Sequence, residues 1–209
     1  MALRVSRLFV HPVKSCAGIE VERARLLAGG LELDRQWMIV DRSGRFVTQR
    51  SQPRLALLRP RTSDGQLTLS APDGSQLVEP LQGGDRGPRV DVRIWGRTVP
   101  AHDCGDGAAA WLGRALGGPC RLVRRPAQRA DSFADAAPIL LLGQESLDAL
   151  NRRLRASGAA EAGIERFRPN LVIAGADAFD EDHWHTVEST QWALGVTERC
   201  ERCEVPNID

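Results

Sequence analysis

Turn dipeptides constrain this chain more than any other feature. Ser43-Gly44, Asp64-Gly65 and Asp73-Gly74 fall between short runs rich in Val, Ile, Leu and Trp within the first hundred residues. Paired turn residues of this kind between apolar runs read as strand–turn–strand punctuation. The runs LRVSRLFVHPV, IEVERARLL, QWMIVD, RFVTQ, QLTLS and RVDVRIW are the expected strands, and frequent short strands at this spacing point to an all-β barrel or sandwich.

Beyond residue 100 the pattern changes. GDGAAAWLGRALGG carries Trp111, Leu112 and Leu116 at helical spacing with glycines to stop it, which predicts a short helix over about residues 107–116. In GQESLDALNRRLRASG, Leu147, Leu150 and Leu154 recur on one face while Asp148, Arg152, Arg153 and Arg155 fall elsewhere, an amphipathic helix ended by Gly158. NLVIAG, TVEST and WALGVTE return to strand character. The intervening RRPAQRADSFADAAP has neither period nor bulk, and either links two halves or lines a site.

A formal charge of +1 from 28 basic and 27 acidic residues gives no electrostatic case for wrapping a nucleic acid duplex, so any anion site must be local. The N-terminal MALRVSRLFVHPV has no apolar run of signal-peptide length, and no stretch approaches membrane-spanning length; the expectation is a cytoplasmic protein with neither membrane nor nucleic acid as partner. Five scattered cysteines, Cys16, Cys104, Cys120, Cys200 and Cys203, make an unpromising disulfide framework.

Local chemistry has four candidate sources. HPVKSCAG holds Lys14, the single lysine among 28 basic residues. A compact ammonium kept where guanidinium is otherwise universal suits a small pocket, though codon bias explains it equally. LDRQWMIVD places Arg35 just before a strand, with Asp34 able to pair with it. FRPNLVIAG sets Arg168 before Pro169, which predicts an extended approach, with Asn170 opening the strand. Arg168 can hold a phosphate bidentately and Asn170 can read a heterocycle edge; a surface Arg and a turn Asn are the plain alternatives. Finally, CERCEVPNID contains Cys200 and Cys203, readable as half a zinc site, a redox pair or unrelated thiols. Zinc would need ligands such as His183 and His185, and a redox pair is expected at a helix start. One thiolate also suffices for a soft metal whose other ligands come from a cofactor; otherwise Cys203 is a buried, inert cysteine.

These segments together carry a resemblance. HPVKSCAGIEVERARLLAGGLELDRQWMIVDRSGRFVTQRSQPRLALLRP resembles the N-terminal β-barrel that precedes a MOSC domain. APILLLGQESLDALNRRL, ERFRPNLVIAGADAFDEDHW and CERCEVPNID resemble the MOSC domain itself, as in the YcbX-type and amidoxime-reducing members of that family. The resemblance implies a mainly β fold with a few helices: an N-terminal β-barrel domain over residues 1–124 and a MOSC β-barrel domain over 125–209 that is incomplete at its C-terminal end. Such a barrel is expected to leave an open edge and incomplete cover at Val172, Ile173 and Trp192.

By the same resemblance, a molybdenum–molybdopterin cofactor is expected. Cys203 would ligate the metal and act in catalysis, and Lys14, Ser15, Arg35, Asp135, Arg168, Asn170, Glu201 and Arg202 would bind the cofactor. Ala137 departs from the polar residue of relatives. Pyridoxal phosphate binding is a further generic term of the family. The implied activity is reduction of small N-hydroxylated compounds, hydroxylamines or amidoximes, with electrons from a separate ferredoxin- or flavoprotein-type partner. The alternatives are a non-catalytic carrier of molybdenum cofactor or sulfur, or an inactive fragment.

Overall fold

The strand Trp37–Val40 is buried at all four positions. Successive side chains of a strand point to opposite faces, and here they enter two different cores. Trp37 and Ile39 join Val13, Cys16, Leu55, Leu67, Leu112 and Leu122. Met38 and Val40 join Val92, Ile94, Ala101, Val123 and Phe133. An apolar run without alternation is what a strand between two cores requires.

The computed structural model describes residues 3–83, 87–126, 132–201 and 203–207. The chain divides into two units, neither continuous in sequence. The first holds Val10–Ile19 and Ala24–Pro138, the second Met1–Phe9, Glu20–Arg23 and Ile139–Asn207. The architecture is mainly β, with two α-helices, Asp106–Leu116 and Gln144–Ala156, among the described residues.

In the first unit a four-stranded antiparallel sheet runs in the order Trp37–Val40, Arg121–Arg124, Arg97–Asp103, Arg89–Ile94. Its named strands leave it open, but residues 44–47 reach both edges. Val40 bridges Phe46 and Arg45 bridges Arg93, the Phe46 N–H donates to the Arg93 carbonyl at 3.1 Å, and the Val47 N–H to Ile39 at 2.9 Å. The segment RFVTQ, expected as a strand, therefore forms isolated bridges: it divides its hydrogen bonds between two neighbours and makes no long ladder with either.

A three-stranded meander, Arg59–Ser63, Gln66–Ser70 and Gln76–Pro80, supplies the second layer. Its first reversal is the expected Asp64-Gly65 pair, with φ of 51° and 72°, the left-handed geometry of a two-residue hairpin turn. The helix Asp106–Leu116 buries Ala108, Trp111, Leu112 and Leu116 in this unit's core and ends at Gly117, φ 76°. The segment IEVERARLL, expected as one strand, is reduced to the pairs Ile19–Glu20 and Leu26–Leu27, because the charged residues between them offer no continuous buried face.

In the second unit the sheet order is Leu141–Gly143, Leu171–Ala174, Arg4–Val10, Ile19–Glu20. The first pair is parallel, connected through the helix Gln144–Ala156. Phe9, Leu142, Leu147, Ile164 and Val172 form its core. The helix start lacks a capping side chain of its own. Glu181 serves instead: its carboxylate accepts the Gly143 N–H at 2.9 Å and the Ser146 hydroxyl at 2.8 Å, which satisfies a donor otherwise orphaned at a helix start. Val172 and Ile173, expected to be poorly covered, are 0% and 2% exposed. Their strand lies inside the sheet with a neighbour on each side, which removes the edge that the expectation assumed.

Candidate functional site

The HPVKSCAG segment is laid against residues 35–37 by backbone hydrogen bonds. Arg35 N–H donates to His11 O at 2.8 Å, Trp37 N–H to Pro12 O at 3.0 Å and Lys14 N–H to Trp37 O at 2.8 Å. Two distant stretches thereby bring Lys14 and Arg35 into one neighbourhood. Ser15 turns the chain with φ of 67°, and its carbonyl accepts the buried Gln49 side-chain amide at 2.8 Å. Gly18 keeps this approach open: a Cβ there would meet the buried His11 ring at 2.6 Å and force it to shift.

Lys14 is 5% exposed. Its ammonium donates to the Phe133 carbonyl at 2.9 Å and to Asp135 Oδ1 at 2.5 Å, and it lies 5.5 Å from the Phe46 ring centroid. The Phe133 N–H in turn donates to Arg35 O at 2.8 Å, so the loop that had no period in the sequence lines the site. Its residues 127–131 lie outside the described ones. Burial pushes the Asp135 carboxyl up, but the Lys14 ammonium, by charge and hydrogen bond, the Trp95 N–H and the Arg35 charge outweigh it and hold it below the ordinary 3.8. The Arg35 guanidinium pairs with buried Asp34. Sequence reasoning named Lys14, Ser15, Arg35 and Asp135 but missed Trp95, Phe46 and Phe133. Trp95 sits at a turn and Phe133 in an unpatterned loop, and Phe46, in the expected strand RFVTQ, carries nothing in its sequence that marks contact with Lys14.

In the second unit Arg168 is left-handed, φ 55°, where an extended approach was expected. The 3₁₀ turn Ile164–Arg166 explains this: the Arg168 N–H donates to Glu165 O at 3.2 Å, and a left-handed residue closes such a turn. Asn170 is fully buried, its amide donating to Phe9 O at 3.2 Å and accepting the Leu140 N–H at 3.1 Å. Those bonds tie the Leu140 and Phe9 backbones to the residue two positions beyond Arg168.

The C-terminal segment is drawn to the same region, with Arg166 donating to Pro206 O at 3.1 Å. Cys200, Glu201 and Cys203 are exposed, so Cys203 is not the buried cysteine of the plain alternative. Arg202 lies outside the described residues. The other thiols differ: Cys16 is buried, and burial pushes the Cys104 thiol far up, with Glu79 and Asp103 adding to it, and raises Cys120 as well. No helix among the described residues is long and apolar enough to cross a membrane.

Residues 2–119 match the MOSC N-terminal beta barrel domain and residues 128–209 the MOSC domain. Over 98% of its length the chain is 34% identical to mitochondrial amidoxime-reducing component 1 of Mus musculus and to that of Homo sapiens. It spans 65% and 66% of those two proteins. Against the Danio rerio protein of the same name it is 33% identical over 98% of the chain, spanning 68% of the relative.

Proposed function

The chain belongs to the MOSC family, with both its N-terminal barrel domain and its MOSC domain matched, and from this premise we propose that it is a molybdenum-cofactor protein that reduces N-hydroxylated small molecules. The observation that carries the reading is Lys14: an almost fully buried ammonium, with Arg35 beside it, in a chain that otherwise uses arginine for every basic residue. A buried cation needs anionic company; Asp135 supplies it within the chain at 2.5 Å, and a phosphate-bearing ligand is the further anion that this pair of neighbouring cations would suit. Each unit by itself offers groups of the kind the cofactor needs: the first has cations at Lys14 and Arg35 with a carboxylate at Asp135, and the second has a cation at Arg168 and an accessible thiol at Cys203.

When bound, the cofactor supplies the oxygen-atom and redox chemistry that no side chain here can perform. The chain's own residues bind and orient it. Lys14 and Arg35 balance phosphate charge, Ser15 and Arg168 offer donors from strained, fixed turns, Asn170 holds the Arg168 segment, and Glu201 and Arg202 flank the thiol. Cys203 would hold the metal, since a soft thiolate suits it. The substrate proposed is a hydroxylamine or amidoxime, the electron donor a separate protein of ferredoxin or flavoprotein type, and the compartment the cytoplasm.

A host able to make molybdopterin provides the test. The purified chain should carry molybdenum near one atom per protein and, with a reducing partner, turn over a hydroxylamine. Molybdenum without turnover would favour a carrier; absence of molybdenum would overturn the reading.

A further inference from the structure

Two hairpins of this chain reverse through the same kind of turn with opposite chemistry. Asp64-Gly65 has φ of 51° and 72°, and Trp95-Gly96 has φ of 47° and 80° between paired Ile94 and Arg97. Asp is among the residues that tolerate this left-handed position; a bulky aromatic there is a genuine outlier. Strain kept at one turn and avoided at another points to a use for the side chain.

The use is visible in its contacts. Trp95 is 54% exposed, so core packing does not explain it. Its indole N–H donates to Asp135 Oδ1 at 2.5 Å, the same oxygen that receives the Lys14 ammonium at 2.5 Å. The ring is held edge-on to Phe46 at 4.9 Å, and Arg50 lies 4.9 Å from its centroid. Arg97, from the same hairpin, reaches the Asp135 carbonyl at 3.5 Å. The Asp135 side chain is itself 56% exposed, and an exposed carboxylate on a loop keeps one orientation only if donors fix it.

We propose that Trp95 is a positioning residue: its indole N–H fixes the Asp135 carboxylate on the Lys14 ammonium, so that the pair meets a hydrogen-bond-donating group of an incoming ligand as one oriented unit. Two donors thus converge on Oδ1. The consequence for cofactor retention rests on the reading proposed above; the positioning itself does not.

Three variants of the full chain test this, Trp95→Phe, Asp135→Ala and the double variant, with Trp95→Asn as a fourth that the turn accepts without strain. Phe keeps a ring against Phe46 and Arg50 and removes only the donor. The first readout needs no cofactor: the Asp135 carboxyl, followed by carbon-13 NMR with Lys14, Arg35 and Arg97 unchanged, should titrate at higher pH in Trp95→Phe and in Trp95→Asn than in the parent. An unmoved midpoint in both overturns the proposal. The second readout is the rate at which molybdenum leaves the protein on timed gel filtration, expected to rise about tenfold in Trp95→Phe, the worth of a hydrogen bond to a charged group. In the Asp135→Ala background the same substitution should add nothing; a full further loss there would mean that Trp95 acts through its packing, against the proposal. Should the parent hold no molybdenum, the cofactor reading fails and the titration alone decides the role of Trp95.

Discussion

Asp34 holds His11: its carboxylate, 1% exposed, accepts the His11 backbone N–H at 2.7 Å on Oδ1 while Oδ2 pairs with the Arg35 guanidinium. One buried acid thus fixes the start of HPVKS and the cation that follows it in the chain. Asp34→Ala removes both acceptors at once and should cost about 3 kcal/mol of stability, the range for breaking a buried, hydrogen-bonded charge pair. Asp34→Asn keeps an oxygen for His11 and should unfold later than the alanine variant in a denaturant titration, yet still lose its grip on Arg35.

Lys14→Arg is the second prediction. Lys14 is almost fully buried, its ammonium seated 2.9 Å from Phe133 O and 5.5 Å from the Phe46 ring centroid. A planar fork there overfills the space and mismatches the acceptors, which should cost about 1–3 kcal/mol. Thermal melting and molybdenum content should both fall. An arginine variant with parental values for both would return Lys14 to codon bias.

Much of this was legible from the residues. The runs flanked by Asp-Gly pairs became strands because apolar alternation and turn chemistry agree over a few residues. The two helices appeared where Leu147 and Leu112 set the period. What stayed hidden depends on contacts made at long sequence separation. RFVTQ has strand composition, yet its hydrogen bonds go to two edges that only the folded sheet brings together. The bonds of the Asn170 amide to Phe9 and Leu140 span 161 and 30 residues, and no local pattern announces them. Trp95 looked like the end of a strand; its value lies in reaching Asp135, forty residues on.

The cysteines give a third prediction. Only Cys200 and Cys203 are exposed, while Cys16, Cys104 and Cys120 are wholly or partly buried, with the thiols of Cys104 and Cys120 pushed up. A thiol reagent should label the native protein at two positions and the unfolded protein at five. Cys203→Ser should abolish molybdenum retention, and Cys200→Ser should weaken it modestly. Equal losses from the two would favour a paired redox role.

Glu181 caps a helix that it does not belong to, and the fourth prediction follows. Glu181→Ala leaves the Gly143 N–H and the Ser146 hydroxyl without their acceptor and should cost about 1–2 kcal/mol, the usual worth of a cap. Gly143→Ala should be damaging for the complementary reason, since its Cβ would stand 2.6 Å from the Glu181 carboxylate oxygens. Amide hydrogen exchange over Gln144–Ala156 should quicken in both.

The last prediction concerns acid. Asp103 is nearly buried, its carboxylate accepting the Gly105 N–H at 2.7 Å and two donors of Arg121, one at 2.9 Å. Burial alone would raise its pKa; the Arg121 hydrogen bonds, the Gly105 N–H and the Arg121 charge together carry it below the ordinary 3.8. A group depressed in the folded state is charged there when the unfolded chain has already bound a proton, so its stabilisation is complete above the unfolded value and disappears as pH falls through the folded one. Arg121 is partly exposed, and solvent screens the pair accordingly. Asp103→Asn keeps an acceptor for Gly105, and removes the charge together with the oxygen that receives the Arg121 Nε–H. The stability difference between parent and variant, measured by denaturant titration across pH, should therefore hold steady near neutrality and shrink below about pH 4. A difference that persists undiminished into strong acid would show that the carboxylate matters for its shape and hydrogen bonds, with no contribution from its charge.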